Sequence, residues 1–174
     1  MRSLKYIFLA LVTVFASQSA IADPIESLIN DFERSKKLTL AYVEAMPEDR
    51  FDYQPVEGTR NFSEQMLHLS QGIYNLVSNA TDAKKPFDYN LEKKKDLHNK
   101  EAVLKWVEQS FDFAISELTE FDEQLMDEIV TKGPFNVTRL RWATKAYEHM
   151  VHHRGQTVIY LRLCGVDVPA YELF

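Results

Sequence analysis

Two histidines one helical turn apart are the residues of this sequence best suited to chemistry. His149 and His153 occupy positions i and i+4 of a stretch with helical periodicity, which places both imidazoles on one face, roughly 6 Å apart along the axis. Two ring nitrogens in this arrangement can bind one metal ion, although two partly buried, hydrogen-bonded histidines are the alternative. Met150 stands where a zincin motif has its glutamate, so that class of metalloprotease is not indicated.

A third histidine, in an earlier helical stretch, is the candidate third ligand. A helical wheel places His68 on the polar side of that stretch, apart from the apolar stripe. The polar side also carries Gln65, Gly72, Asn75 and Asn79. Such a side fits the wall of a wet cleft and fits open solvent nearly as well. Glu64, one turn earlier, could orient His68 or could simply be exposed. His152, on the flank of the other pair, is a weaker candidate.

Four stretches with helical periodicity must position these histidines. They span residues 24–46, 62–79, 100–121 and, starting at 136 or 137, a last stretch to 164. Pro47, the Gly133-Pro134 pair and Gly165 separate or end them. Apolar residues make up 45% of the chain, while Gly and Pro number only five and six. Four helices with one apolar stripe each predict an all-α fold, a four-helix bundle.

The segments between and within these helices carry three further expectations. Residues 81–99 are rich in lysine and poor in apolar side chains, which predicts a solvated loop. No strand pattern of convincing length appears, although residues 129–138 could pair briefly. Gly155, inside the last helix, costs about 1 kcal/mol relative to alanine. It therefore predicts that another helix approaches closely there, or is simply tolerated near a loosened last turn.

The N-terminus has the three features of an export signal. Arg2 and Lys5 precede an apolar run over residues 6–16, and Ala20-Ile21-Ala22 matches the small-x-small cleavage pattern. These features predict a signal peptide at residues 1–22, a mature domain at 23–174 and a periplasmic location. The alternative is an uncleaved anchor, but the run is shorter than the roughly 20 residues that span a bilayer.

Charge and cysteine content restrict the partners. Loss of two cations with the signal peptide takes the formal charge from −6 to −8. A chain this acidic repels phosphate backbones and anionic lipid, so neither nucleic acid nor a membrane surface is expected as a partner of the mature protein. Cys164 is the single cysteine and can form no internal disulfide. We interpret it as a small packed side chain, with a reactive or dimer-linking thiol as the alternative.

Beyond these single residues, three blocks of the sequence together resemble one family, the DinB-like proteins. The early block is Phe62-Ser63-Glu64-Gln65-Met66-Leu67-His68. The late block is His149-x-x-x-His153-Arg154-Gly155-Gln156, followed by Tyr160-Leu161-Arg162-x-x-Gly165. The segment Met46-Pro47-Glu48-Asp49-Arg50-Phe51-Asp52-Tyr53-Gln54-Pro55 is similar to the family's connection between its first two helices.

The resemblance implies a DinB-like four-helix bundle with a long connection between helices, often assembled as a homodimer. It also implies a divalent metal ion, zinc or nickel in many members, bound by three histidines that correspond to His68, His149 and His153. Some relatives are thiol transferases and others are described as hydrolases, so the resemblance does not settle the activity. An exported member departs from the cytoplasmic setting of the thiol transferases.

A site of three neutral histidines leaves at least one coordination position open, as catalytic sites do. A metal there could activate a water or a thiol, or polarise a carbonyl. The first hypothesis is therefore a metal-dependent hydrolase or a transferase acting on a small molecule. The alternatives are a non-enzymatic protein that binds metal or a small ligand, with non-covalent haem as a variant, and a structural bundle. No catalytic residue is identified, and Glu64 and Tyr160 are only candidate proton shuttles.

Overall fold

The computed structural model describes residues 23–173, so the predicted signal peptide at 1–22 lies outside the described residues. Four long helices account for most of this part of the chain: α1 (Pro24–Ala45), α2 (Phe62–Thr81), α3 (Lys100–Glu120) and α4 (Arg139–Leu163). Two short strands, β1 (Ile129–Lys132) and β2 (Phe135–Thr138), lie between α3 and α4. The predicted all-α four-helix bundle is confirmed.

Polar residues fix where the first two helices begin. The Asp23 carboxylate accepts a hydrogen bond from the Ile25 amide at 2.9 Å, and Pro24 occupies the first helical position. At the start of α2, the Asn61 side chain accepts from the Glu64 amide and the Glu64 carboxylate accepts from the Asn61 amide. This reciprocal capping box holds Glu64 at the helix start.

The α2 helix packs against both α3 and α4, and α1 packs against the same two helices. The apolar stripes of α2 and α3 supply much of the core. The fully buried members of these stripes include Phe62, Met66, Leu69, Ile73, Val77, Val103, Val107, Phe111 and Ala114. In the described part of the chain no helix has both the length and the apolar character that a membrane span requires.

The connection between α2 and α3 departs from the predicted solvated loop. Phe87 and Leu91 are buried, and the Phe87 ring makes edge-to-face contacts with Tyr74 and Trp106, at 5.1 and 5.3 Å between centroids. The lysines at 93–95 are exposed, as predicted. Two apolar side chains are enough to hold this charged segment against the bundle, because each removes a large surface from water.

The start of α4 also differs from the prediction. Residues 129–138 do pair as an antiparallel hairpin, with Val130 opposite Val137, so the expected brief pairing is confirmed. Because Phe135–Thr138 belongs to a strand, α4 begins at Arg139, two to three residues later than the periodicity predicted. The Thr138 hydroxyl caps the helix by accepting from the Arg141 amide at 3.1 Å.

Candidate metal centre

The three predicted ligands meet between α2 and α4. One nitrogen of each of His68, His149 and His153 lies within 4.8 Å of the others. The ring centroids are 5.2 Å apart for His68 and His149, 4.5 Å for His68 and His153, and 4.3 Å for the pair on α4. The side of α2 that carries His68 therefore faces α4, which decides between the two interpretations of its polar surface.

A glycine allows the two helices to come this close. Gly72 lies one turn after His68 and is buried. A Cβ atom at this position would lie only 2.1 Å from Cε1 of His149 and 2.2 Å from its Nδ1. Any side chain at residue 72 would therefore displace the His149 ring. The helical wheel placed Gly72 beside His68 but gave no sign of this contact with His149.

The second helical glycine does not have the predicted role within this chain. Gly155 is exposed, and a Cβ atom built there has no described neighbour within 4 Å. No other helix of the described chain approaches it, so the expected close contact is wrong inside the protomer.

His68 is oriented by a residue that the sequence analysis missed. Oε2 of Glu92 lies 3.2 Å from Nδ1 of His68 and accepts from Nε of Arg60 at 2.5 Å. Burial alone would raise the pKa of Glu92, but the Arg60 guanidinium outweighs it, and the pKa is lowered from its usual value. Glu92 is thus a carboxylate at neutral pH. The predicted orienting residue, Glu64, instead contacts Asn61 and Lys95.

Glu92 was missed because it lies in the connection that the sequence predicted to be solvated. The buried side chain of Leu91 holds this segment in place, and the Leu91 amide donates to Oε1 of Gln71 on α2 at 2.8 Å. The signals available in the sequence were the apolar side chains within this charged run, Phe87 and Leu91 among them.

His153 is held by an amide network. Its Nδ1 lies 2.8 Å from Nε2 of Gln65, a buried residue of α2. Gln65 is also hydrogen-bonded to Gln156, whose Nε2 lies 3.1 Å from Nε2 of His152. His152 is exposed and is not part of the cluster. When Nε2 of a histidine binds a metal, its proton stays on Nδ1, so Gln65 would then present its amide oxygen to His153.

His149 has an unsatisfied ring nitrogen. Its Nδ1 is buried and has no hydrogen-bond partner among the described residues, which is rare for a polar atom inside a protein. Burial, reinforced by neighbouring cations and imidazoles, lowers the pKa of His149 to about 4 and that of His153 to about 3. Burial and Arg60 also lower the pKa of His68. All three rings are therefore neutral at pH 7.

These features fit a divalent metal ion. Nδ1 of His68 and of His153 is already hydrogen-bonded, which leaves Nε2 of both rings available. A metal requires neutral imidazoles, and burial supplies them here before any ion arrives. Three neutral histidines, two of them held by outer hydrogen bonds, form a donor set that can hold a divalent metal ion, with positions left for other ligands.

Two clefts flank this cluster. The first, about 630 Å³ in volume, is polar and includes Arg60, Gln65, Glu92 and Gln156. Tyr160, a candidate proton shuttle, also lines it, but its hydroxyl donates to the Arg60 carbonyl oxygen at 2.7 Å.

The second cleft, about 560 Å³, is largely apolar and reaches His149. Phe135 and Trp142 line it and contact each other edge to face, with ring centroids 5.8 Å apart. The cluster thus lies between a polar and an apolar surface.

Known proteins show the same arrangement of helices. The model of the DinB family matches residues 17–174. The uncharacterized protein YjoA of Bacillus subtilis is 23% identical over 148 residues, which cover 83% of this chain and 94% of YjoA. A DinB-like protein from Bacillus cereus has a TM-score of 0.72 at 14% identity, covering 85% of this chain and 97% of that one. The crystal structure of YjoA has a TM-score of 0.65 at 18% identity, with coverage of 84% and 97%. At these identities the structural likeness establishes the fold alone.

Proposed function

The chain belongs to the DinB family, and we propose that it is an exported metalloprotein of this family that acts on a small molecule. In this proposal a divalent ion, zinc or nickel, is bound by His68, His149 and His153. The reaction is a metal-dependent hydrolysis or the transfer of a thiol or another small group. The observation that carries the proposal is the meeting of three neutral imidazoles, one of them with a buried unpaired nitrogen.

The surroundings of the histidines support an open site rather than a closed structural one. Structural zinc sites have four protein ligands, whereas the cluster of the described residues has three. When bound, the metal supplies a Lewis acid that lowers the pKa of water or a thiol or polarises a carbonyl. Glu92 and Gln65 hold two of the rings in fixed orientations. The polar cleft offers hydrogen-bond partners to a substrate, and the apolar cleft offers a surface for its hydrocarbon part.

A non-enzymatic metal-binding protein is the second candidate, and one observation favours it. Glu92 is the carboxylate next to the cluster, and it is already bound by Arg60 and His68. Glu64 lies in the capping box and contacts Lys95. Neither of these two carboxylates is therefore free to act as a general base, which hydrolysis at neutral pH usually employs.

Metal analysis of protein prepared without a histidine tag is the first test. We expect about one equivalent of metal in the wild type, none in His149→Ala, and one equivalent in the control His152→Ala, whose imidazole lies outside the cluster. Equal metal content in all three proteins would contradict the site. Loss of activity in His149→Ala on ester, amide and thiol-acceptor substrates distinguishes the enzyme from the binding protein.

Export is tested separately. We expect the mature protein in the periplasmic fraction of a bacterial host, with a mass that corresponds to cleavage after Ala22. An intact mass that includes residues 1–22 would contradict cleavage, and recovery from the cytoplasm alone would contradict export.

We further propose a homodimer formed through the outer face of α4. Val151, Ile159 and Leu163 are exposed at spacings of four or eight residues, with Gly155 completing the series. They form one stripe on the helix. Nothing in the described chain approaches Gly155, although a glycine within a helix costs about 1 kcal/mol. A second copy packed closely on this stripe would account both for the glycine and for the exposed apolar side chains.

Light scattering combined with size-exclusion chromatography tests the homodimer. We expect twice the monomer mass for the wild type and the monomer mass for Gly155→Leu or Ile159→Asp. Ile129→Asp is the matched control, because Ile129 is also exposed but lies in β1. A monomeric wild type at high concentration would contradict this interface without affecting the metal site.

A further inference from the structure

A buried arginine, Arg154, lies outside the histidine cluster, and no carboxylate of residues 23–173 pairs with it. Only 5% of Arg154 is exposed to solvent. Within residues 23–173 its one hydrogen bond runs from Nη1 to the carbonyl oxygen of Ser35, at a distance of 3.5 Å. A buried guanidinium that is not neutralised loses several kcal/mol of hydration free energy. The proposed metal-dependent function does not use this residue.

Positively charged side chains and a tyrosine hydroxyl surround Arg154. Arg34 and Lys37 line the same cleft as Arg154. Arg34 is paired with Asp31 at 2.5 Å, and its Nη2 lies 3.4 Å from the hydroxyl of Tyr147. This accumulation of positive charge stands out in a chain whose formal net charge is −6.

The cleft itself has the size and walls of a small-molecule site. It lies between α1, α4 and the C-terminal segment 169–172, with a volume of about 340 Å³. This volume is near the lower end of the range for ligand pockets, roughly 300 to 1,000 Å³. Leu38, Pro169 and Tyr171 provide its apolar surface. Arg154 follows His153 in sequence but points about 100° away from it around the helix axis, so the two sites are separate.

We propose that this cleft binds a small organic oxyanion, whose carboxylate or phosphate group pairs with Arg154. The planar guanidinium can donate two parallel hydrogen bonds to either group. Arg34 and Lys37 add long-range attraction, and the ligand's hydrocarbon part lies against Leu38 and Tyr171. One carboxylate of the same chain, Glu172, also lines the cleft. It is exposed and forms no hydrogen bond or ion pair with Arg154 in the described chain.

Titration with two probes tests the proposal. Benzoate and inorganic phosphate are titrated into the full mature protein by calorimetry at constant ionic strength, with sodium chloride as the reference anion. We expect saturable binding of at least one probe, and the preferred probe identifies the anion class. Arg154→Gln should weaken binding about tenfold or more, because a charge-assisted hydrogen bond is lost. Arg34→Gln should weaken it less, and the exposed control Arg50→Gln should leave it unchanged.

Two additional experiments keep the proposal testable if Arg154→Gln does not fold. Arg154→Lys retains the charge and loses the paired donors, so we expect weaker but measurable binding. A crystal soaked with 4-bromobenzoate should show an anomalous bromine peak between α1, α4 and residues 169–172.

Three results would overturn the anion site. The first is that neither probe binds more tightly than chloride. The second is a bromine peak that appears only outside the cleft. The third is binding that appears only in Glu172→Gln, which would mean that the chain's own carboxylate fills the cleft. None of these results bears on the metal content, so they leave the histidine site unaffected.

Discussion

The two glycines within the helices of this protein lie in opposite environments. Gly72 is buried in α2, and the ring of His149 occupies the space where its side chain would be. Gly155 is exposed in α4, with open space around it. Each costs its helix about 1 kcal/mol relative to alanine. The first cost is explained inside the protomer by the histidine cluster, while the second has no internal explanation. A glycine in a helical pattern thus does not by itself show whether another element approaches it closely.

Filling the space at Gly72 should produce the largest effect. In Gly72→Ala the new methyl group overlaps Cε1 of His149, so the ring must leave its position. We expect metal affinity to fall by at least about tenfold to a hundredfold, as when ligand-supporting groups are lost. Overpacking should also lower the free energy of unfolding by about 1–3 kcal/mol. Competition with a chelator measures the first effect, and urea unfolding measures the second. Unchanged metal affinity would show that His149 is not a ligand in this position.

In the metal-free protein, acidification should lower the free energy of unfolding through the histidine cluster that lies next to Gly72. His149 and His153 have folded-state pKa values of about 4 and 3, below the usual 6.5. As the pH falls through about 6.5, these two histidines become protonated in the unfolded chain but stay neutral in the folded protein. The free energy of unfolding is therefore highest above this pH and decreases as the pH falls. Each histidine contributes a slope of at most about 1.4 kcal/mol per pH unit.

Urea unfolding in chelator between pH 7.5 and 5 measures this slope. The variant His149→Gln removes one titrating group and should flatten the dependence. An equal slope in both proteins would contradict neutral, buried imidazoles in the folded state.

Removal of the amide beside His153 should have a moderate effect. Gln65→Leu deletes the hydrogen bond to Nδ1 of His153 while keeping a side chain of similar size. We expect metal affinity to fall about tenfold or more. In contrast, Gln65→Glu supplies an acceptor for the Nδ1 proton and should retain most of the affinity. Calorimetric zinc titration compares the two variants, and an equal loss in both would mean that packing, not the hydrogen bond, matters at residue 65.

The smallest effect is expected at Gly155, where a methyl group meets open space. Gly155→Ala should raise the free energy of unfolding of the monomer by about 0.5–1 kcal/mol through higher helix propensity. Metal content should not change. Unfolding measured at low protein concentration tests the gain, and a loss of stability there would show that the protomer itself uses this space.

Periodicity predicted the four helices and the helix face that carries His149 and His153, because both follow from the 3.6-residue repeat. It could not decide whether His68 faces a cleft or solvent, since Gln65 and Asn75 suit either environment. That choice depends on how α2 packs against α4. The position of Gly72 opposite His149 is likewise a tertiary fact.

The sequence was least informative where a few residues outweigh the local composition. Residues 81–99 were predicted to be a solvated loop because lysines dominate them, yet Phe87 and Leu91 are buried against the bundle. The start of α4 was misplaced because Val137 continues the helical pattern while its backbone pairs with Val130. In both places a contact outside the local helical repeat decided the structure.

Glu92 lies in the connection between α2 and α3 rather than in one of the four long helices, so two roles are divided between different parts of the chain. The helices fix where the three imidazoles lie, while an independent segment sets how strongly one of them is polarised. Replacement of Glu92, or a change in the length of its segment, can therefore tune the electron-donating strength of His68 while the four-helix frame stays intact. In the proposed metal site, a change in this connection alone would therefore alter how His68 binds the ion.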